Sequence, residues 1–306
     1  MGVYRVAKWG TVIRMPSRRR VGALVATASL GIVTLGAILG LTVFRRGPAV
    51  GPRQAPTEGQ TAIGWAGGQL TTYGAQRAVP IGSVAKVMTA YLVLRHHPLA
   101  VGQDGPSITV DETAENDFRS RSGSDQSLLP VRAGDRLTEW QALEALMVPS
   151  ANNIADLLGT WDDGSTTAFV ADMNATARQL GLRHTHYADA SGYSPGTVSI
   201  AVDQTRLVEK AMAVPALAAA ANLRQAELPR AGTVRNYNAL LGTDGVIGLK
   251  TGSTEQAGGA FVFAARRDGR LVVGAVLGQR IGASTPASLA RAFGVTKQLI
   301  ETLAPG

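Results

Sequence analysis

The hydrophobic positions of the chain fall into three regimes. Val21 to Phe44 runs for 24 residues without a charged side chain. A helix of that length spans a hydrocarbon core of roughly 30 Å. It is longer than the roughly 7–15-residue apolar region of a cleaved signal peptide, and no A-x-A-like site closes it. The next stretch, "GPAVGPRQAPTEGQ", has no apolar period and is rich in Pro, Gly and polar residues, which predicts a linker.

From Thr61 onward the apolar positions become periodic. "TAIGWAGGQLTTYG" predicts a short hairpin about a Gly-Gly turn. A helix starts near Ser83 and runs through "VAKVMTAYLVL". "LTEWQALEALMVP" predicts an amphipathic helix with Thr138 as N-cap and Pro149 at its end. "SANNIADLLGTW", "TTAFVADMNATARQLGL" and "VDQTRLVEKAMA" follow as helices, the second stopping at Gly181. "GVIGLKTGS" reads as a strand, and "AFVFAARRDGRLVVGAVLG" as two strands about Asp268-Gly269, a hairpin signal. "PASLARAFGVTKQLIETL" closes as a helix. Helices flanking a terminal antiparallel sheet predict an α+β, or mixed α/β, fold.

Charge sharpens the first regime. Of the 30 Lys and Arg, eight lie in residues 1–46, where there is no Asp or Glu. The remaining 22 basic side chains balance 22 acidic ones, so the body carries no basic surplus and no nucleic-acid role is expected of it. Six basic residues precede the apolar run, and Arg45 and Arg46 follow it. The positive-inside tendency then puts the N-terminus in the cytoplasm and the body outside. The expected organisation is a basic cytoplasmic tail at 1–20, a transmembrane signal-anchor helix at 21–44, a linker at 45–60 and a catalytic domain at 61–306. A long cleaved signal is the alternative.

The chain has no cysteine, which excludes disulfides, thiolate metal sites and a cysteine nucleophile. The four histidines, His96-His97 and the pair His184 and His186, lack HExxH spacing and read as surface side chains. No metal and no cofactor is expected.

Against this background one residue is out of place. Lys86 lies inside an apolar helix, where an unpartnered ammonium is costly. Ser83 is three residues before it, on the same face. The serine could simply cap the helix. A desolvated lysine within reach of a hydroxyl is instead a general base that activates a nucleophile. Ser-x-x-Lys alone is a weak signal. Ser150-Ala151-Asn152 lies 67 residues on, at a loop–helix junction, and Lys250-Thr251-Gly252 another 98 residues beyond Asn152, on an apolar strand. Taken singly, these could be a helix cap and a turn. A glycine in the strand also allows another backbone to approach closely. The three motifs in this order form a recognised serine-acyltransferase signature.

With "GSVAKVMTAYLVL", "LPVRAGDRLTEWQALEALMVPSANNIADLL", "HYADASGYSPGTVSIAVDQTRL" and "GLKTGST", the chain resembles the D-alanyl-D-alanine carboxypeptidases, low-molecular-mass penicillin-binding proteins. The resemblance covers about Thr61 to Leu303. It implies the penicillin-binding-protein and β-lactamase-like transpeptidase fold, with the site between an all-helical part and an antiparallel sheet. It implies that Ser83 attacks the D-Ala-D-Ala carbonyl and that Lys86 takes its proton. Ser150 and Lys250 would relay a proton to the leaving amine. Asn152 would bind the substrate amide and Lys86, and Thr251, next to Lys250 and Gly252, the terminal carboxylate. The backbone N–H groups of Ser83 and Ser253 would form an oxyanion hole. The implied partners are peptidoglycan stem peptides as substrate and β-lactams as inhibitors, acting at the cell membrane. Many members carry a β-rich C-terminal domain with a membrane-associating tail. This sequence ends soon after the third motif, so anchoring is expected from the N-terminal helix.

The sequence departs from the family pattern at Ala151 and Asn153, where Gly and Asp are common, and at Ser253, where Tyr often stands. A class A β-lactamase needs a glutamate to activate the deacylating water, and none lies between Glu144 and Glu209. A D,D-endopeptidase shares every motif. A non-catalytic cell-wall sensor is opposed by the intact motif residues. A Ser-His-Asp hydrolase lacks its G-x-S-x-G elbow.

Overall fold

The computed structural model describes residues 56–303. The expectations for 1–20, for the spanning segment 21–44 and for most of the linker lie outside the described residues. Among the described residues no helix is long and apolar enough to cross a membrane.

The chain opens with β1 (Gln60–Trp65), β2 (Thr71–Tyr73) and β3 (Val79–Pro80), then a 3₁₀ turn (Gly82–Ala85) that runs into α1 (Lys86–His96). It continues through β4 (Ser107–Thr109), α2 (Glu112–Arg121), β5 (Arg136–Thr138), α3 (Glu139–Met147), α4 (Asn152–Asp163) and α5 (Thr166–Gln179). Next come β6 (Val198–Ser199), α6 (Ala201–Met212), α7 (Pro215–Ala221), β7 (Gln225–Leu228) and β8 (Gly232–Arg235). β9 (Val246–Thr254), β10 (Gly258–Arg267), β11 (Arg270–Gln279) and α8 (Thr285–Leu303) complete it.

One five-stranded sheet, ordered β2-β1-β11-β10-β9, organises the molecule, and its pairings are antiparallel. The pleat sorts side chains by parity. Ala260, Val262 and Ala264 of β10 face the large core shared with α1, α3, α4 and α6, whereas Phe261, Phe263 and Ala265 face a second core closed by α8. Both faces are covered, so β10 and β11 read as nearly continuous apolar runs. Asp268 and Gly269 both take positive φ (48° and 72°), the geometry a two-residue hairpin needs. Thr138 caps α3 as expected, and the Gln141 side chain returns the bond in a capping box.

α2 escaped the periodic reading because it has no apolar stripe and buries no residue completely. It is held by its Asp111 cap and by the i,i+4 pairs Arg119–Glu115 and Arg121–Asp117. The Ala-rich α7 starts at Pro215, a favoured first helical position. β7 and β8 form a separate two-stranded sheet.

β9 is an edge strand, and the 3₁₀ turn packs directly against it. Sheet and helical layer therefore meet where the first and third motifs lie.

Candidate active site

Three loci converge on Lys86, which is completely buried. Its Nζ lies 2.9 Å from Ser83 Oγ, 2.6 Å from Asn152 Oδ1 and 2.8 Å from the carbonyl oxygen of Ser191. A neutral amine has two N–H donors and one lone pair. The amide oxygen and the backbone carbonyl can only accept, so they take the two donors. The lone pair is left to face the Ser83 hydroxyl, which then donates. The same three acceptors equally satisfy an ammonium, whose third N–H donates to Ser83 Oγ; only the uncharged lysine turns its lone pair to the serine. Burial is the main force lowering the Lys86 pKa far below that of a free lysine, and the positive charge of Lys250 adds to it. Asp189 and Asp156 act the other way.

The capping alternatives are excluded by geometry. The cap position of the 3₁₀ turn is Ile81 and that of α1 is Ala85, and neither end has a side-chain cap bond. Ser83 is therefore held for Lys86 and not for a helix end. Likewise α4 is capped by Ala151 without a side-chain bond. Ser150 takes φ 65°, a left-handed conformation that costs a non-glycine residue of order 1–3 kcal/mol. Its hydroxyl is buried and has no hydrogen-bond partner among the described residues. Among the described residues Ser150 therefore makes no hydrogen bond to Lys86.

Asn152 is fixed from two sides. Its backbone N–H donates to the Ser127 carbonyl at 2.8 Å and its Nδ2 to Gln126 Oε1 at 2.9 Å. Asp189 organises the loop that supplies the Ser191 carbonyl. It accepts from Ser191 Oγ at 2.7 Å, from Tyr193 N at 2.9 Å and from the Thr197 hydroxyl. The Tyr193 hydroxyl donates to Asp125 at 3.0 Å, joining this loop to the one that carries Gln126. Gln126, Asp189 and Ser191 were not singled out from sequence. Ser191 acts through its backbone, which has no side-chain signature, and only Asp189 and Gly192 beside it in "DASGY" hint at an ordered turn.

Across the junction, Lys250 is 1% exposed and its Nζ donates to the Thr251 carbonyl at 3.1 Å. Desolvation lowers its pKa to about 7. Gly252 lies against the 3₁₀ turn so closely that a Cβ there would sit 2.7 Å from Ile81 O and 3.0 Å from the backbone nitrogens of Ser83 and Val84. The two-residue period puts the Ser253 side chain on the opposite face. Its Oγ lies 3.1 Å from Ser288 Oγ and 3.3 Å from Thr285 Oγ1, at the start of α8. Ser253 thus turns its side chain toward α8, while its backbone nitrogen stays close to Gly82.

Asn153, one of the departures from the family pattern, has a local reason. Its Oδ1 accepts from Leu129 N at 2.9 Å and its Nδ2 donates to Leu129 O at 2.9 Å, both buried. A carboxylate could satisfy only the first. Asn153→Asp is expected to place a buried acceptor against the Leu129 carbonyl and destabilise the fold by about 1–3 kcal/mol. That corresponds to a melting temperature lower by roughly 2–10 °C. An unchanged thermal melt would show that the two-bond clamp carries no net stability.

The comparisons with known proteins agree with this geometry. The family model described as D-alanyl-D-alanine carboxypeptidase matches residues 64–281. A D-alanyl-D-alanine carboxypeptidase from Streptomyces sp. (strain K15) is 30% identical over 270 residues, covering 82% of this chain and 91% of its own. A D-alanyl-D-alanine endopeptidase from Pseudomonas aeruginosa is 35% identical over 140 residues, 45% of this chain and 42% of its own. The solved structure of the Streptomyces K15 DD-transpeptidase superposes with a TM-score of 0.67 at 28% identity, covering 80% of this chain and 98% of that one. Family match, near-complete overlap with a solved relative and the Ser83–Lys86–Asn152 cluster lead to one assignment: the chain belongs to the D-alanyl-D-alanine carboxypeptidase family, serine hydrolases of the penicillin-binding protein class.

Proposed function

We propose that this chain is a serine D,D-carboxypeptidase that removes the terminal D-alanine from peptidoglycan stem peptides through an acyl-enzyme on Ser83. The observation that carries the reading is the contact of buried Lys86 Nζ with Ser83 Oγ, held in place by Asn152 Oδ1 and the Ser191 carbonyl. Lys86 takes the Ser83 proton as Oγ bonds to the carbonyl carbon of the D-Ala-D-Ala peptide. The backbone N–H groups of Ser83 and Ser253 stabilise the oxyanion. As the C–N bond breaks, the proton passes to the leaving amine, with the unpaired Ser150 hydroxyl available as carrier and Lys250 holding positive charge nearby. Lys250 and Thr251 bind the free carboxylate, and Asn152 orients the substrate amide. Water then repeats the sequence, with Lys86 again as base, to release the shortened peptide. A β-lactam acylates Ser83 by the same attack. Residues 21–44 anchor the chain in the cell membrane, with the catalytic domain outside.

The Pseudomonas aeruginosa relative favours a second reading, cleavage of crosslinks as a D,D-endopeptidase. The test is product analysis with wild type and Ser83→Ala, using a pentapeptide and a crosslinked dimer. Release of D-alanine from the pentapeptide in preference to dimer cleavage, absent in Ser83→Ala, is the expected result. Dimer cleavage at the higher kcat/KM would replace the carboxypeptidase reading with the endopeptidase one. Activity in Ser83→Ala would sink both. A mature N-terminus near Gly47 would exclude the anchor.

A further inference from the structure

Of the groups bonded to Lys86 Nζ, Asn152 has two orientations of equal shape and opposite chemistry. Its side-chain amide carries an oxygen at one end and an N–H₂ at the other. Oδ1 lies 2.6 Å from Lys86 Nζ, and Nδ2 lies 2.9 Å from Gln126 Oε1. Lys86 alone does not select that orientation. An uncharged lysine can donate to Oδ1, or it can accept from Nδ2 through its lone pair. Gln126 Oε1 can only accept, so it draws Nδ2 to its own side and leaves Oδ1 facing the lysine. Asn152 is buried, where an N–H₂ group without an acceptor is costly.

Gln126 is presented from a braced segment between α2 and β5. The Ser127 carbonyl accepts from Asn152 N at 2.8 Å, and Leu129 exchanges two bonds with the Asn153 side chain. On the other side, Asp125 accepts from the Tyr193 hydroxyl at 3.0 Å. Tyr193 belongs to the turn that supplies the Ser191 carbonyl to Lys86. The segment is therefore tied both to the start of α4 and to the turn across from it, and the Gln126 acceptor is held beside the amide it orients.

We propose that Gln126 is a positioning residue: its Oε1 holds the Asn152 amide with Oδ1 toward Lys86, and this orientation keeps the lysine lone pair for the Ser83 proton. The inference rests on the reading of Lys86 as the base. With the amide reversed, Nδ2 would donate to the lone pair and compete with Ser83 Oγ, 2.9 Å from Nζ. One Nδ2 hydrogen goes to Gln126, and the other stays for the substrate amide. Orientation also acts on the charge of Lys86. Oδ1 accepts a strong bond from an ammonium, whereas a reversed amide turns N–H toward it. Loss of the Gln126 acceptor therefore favours the uncharged lysine, lowering its pKa further, and at the same time blocks the lone pair. The other influences on Lys86 are burial, Lys250 of β9 and Arg121 of α2, which lower its pKa, and Asp189 of the Ser191 turn and Asp156 of α4, which raise it. These act through desolvation and charge, not through the direction of the amide.

The test uses the full chain in detergent, labelled with ε-¹³C lysine. The chain has five lysines, and Lys86→Arg assigns the Lys86 signal. Its titration is read by NMR, and acylation by a fluorescent penicillin is followed over the same pH range. Gln126→Leu is expected to titrate Lys86 lower by roughly one pH unit, the scale of one hydrogen bond to a charged group. It should also cut the acylation plateau by about tenfold or more. Gln126→Glu presents an oxygen at either end of its carboxylate, and its charge favours the ammonium. It should keep a plateau near that of wild type, with Lys86 titrating above wild type. A merely structural Gln126 would not move the two variants in opposite directions. Thermal melts verify that both fold. The lysine signal reports the amide orientation whether or not penicillin reacts, so a wild type that takes no label would sink the Ser83 reading alone. Wild-type titration of Lys86 in Gln126→Leu, or shifts of one sign in both variants, would overturn the positioning role.

Discussion

Lys86→Ala is expected to slow acylation of Ser83 by a fluorescent penicillin by about 10²–10⁴-fold, the span general-base catalysis supplies. The variant loses the only nitrogen bonded to the Ser83 hydroxyl among the described residues. Thermal stability changes by the balance of two opposing terms. A lysine whose pKa is lowered on folding must give up its proton to be buried, and below its unfolded pKa this opposes folding. Its removal takes that penalty away, while leaving Asn152 Oδ1 and the Ser191 carbonyl without their donor costs about 1–3 kcal/mol each. Lost acylation with a near-normal melt would assign Lys86 to chemistry. The sign of the pH response follows. Acylation should weaken as acid returns the proton to Lys86, and Lys86→Arg, always charged, should stay inactive at every pH. Labelling of Lys86→Ala at the wild-type rate would refute the base role.

Gly252→Ala is the other large effect. The added methyl would lie 2.7 Å from Ile81 O and 3.0 Å from two backbone nitrogens, and backbone atoms cannot swing aside as a side-chain tip can. Either β9 or the 3₁₀ turn must move. Overpacking of this kind costs about 1–3 kcal/mol. The functional loss should be larger in proportion, because the shift separates Ser83 from Ser253 and Lys250, and a displacement of about 1 Å can cost 10²-fold in rate. Gly294→Ala is the control. A methyl there meets nothing within 4 Å, and the site lies within α8, so a gain of about 0.5–1 kcal/mol is expected with labelling intact. A Gly252→Ala protein that acylates normally would show that the close approach of strand and turn does not set the site.

The helices and strands that sequence revealed are those whose signals are local. Thr138 with Gln141, Asp268 with Gly269, and the apolar runs of β10 and β11 each carry their instruction within a few residues. α2 was illegible by the same rule, since its stabilising contacts are charge pairs and a cap and not an apolar stripe. The spacing of Ser83 and Lys86 was legible because it is one helical turn. Asn153 looked like a lost carboxylate until Leu129 was seen beside it, 24 residues away, requiring one donor and one acceptor.

By itself, then, the sequence determined the class of fold, the identity of the motif residues and the anomaly of a lysine in an apolar helix. These follow from periodicity and from the cost of burying charge, which act on any chain. Only the tertiary structure decided what Lys86 bonds to. The third bond comes from a backbone carbonyl 105 residues away, and carbonyls are the same in every residue. It also decided that Ser150 is strained and, among the described residues, unpaired, and that Ser253 turns toward α8. Those relations depend on which surfaces pack together, and no local pattern encodes them.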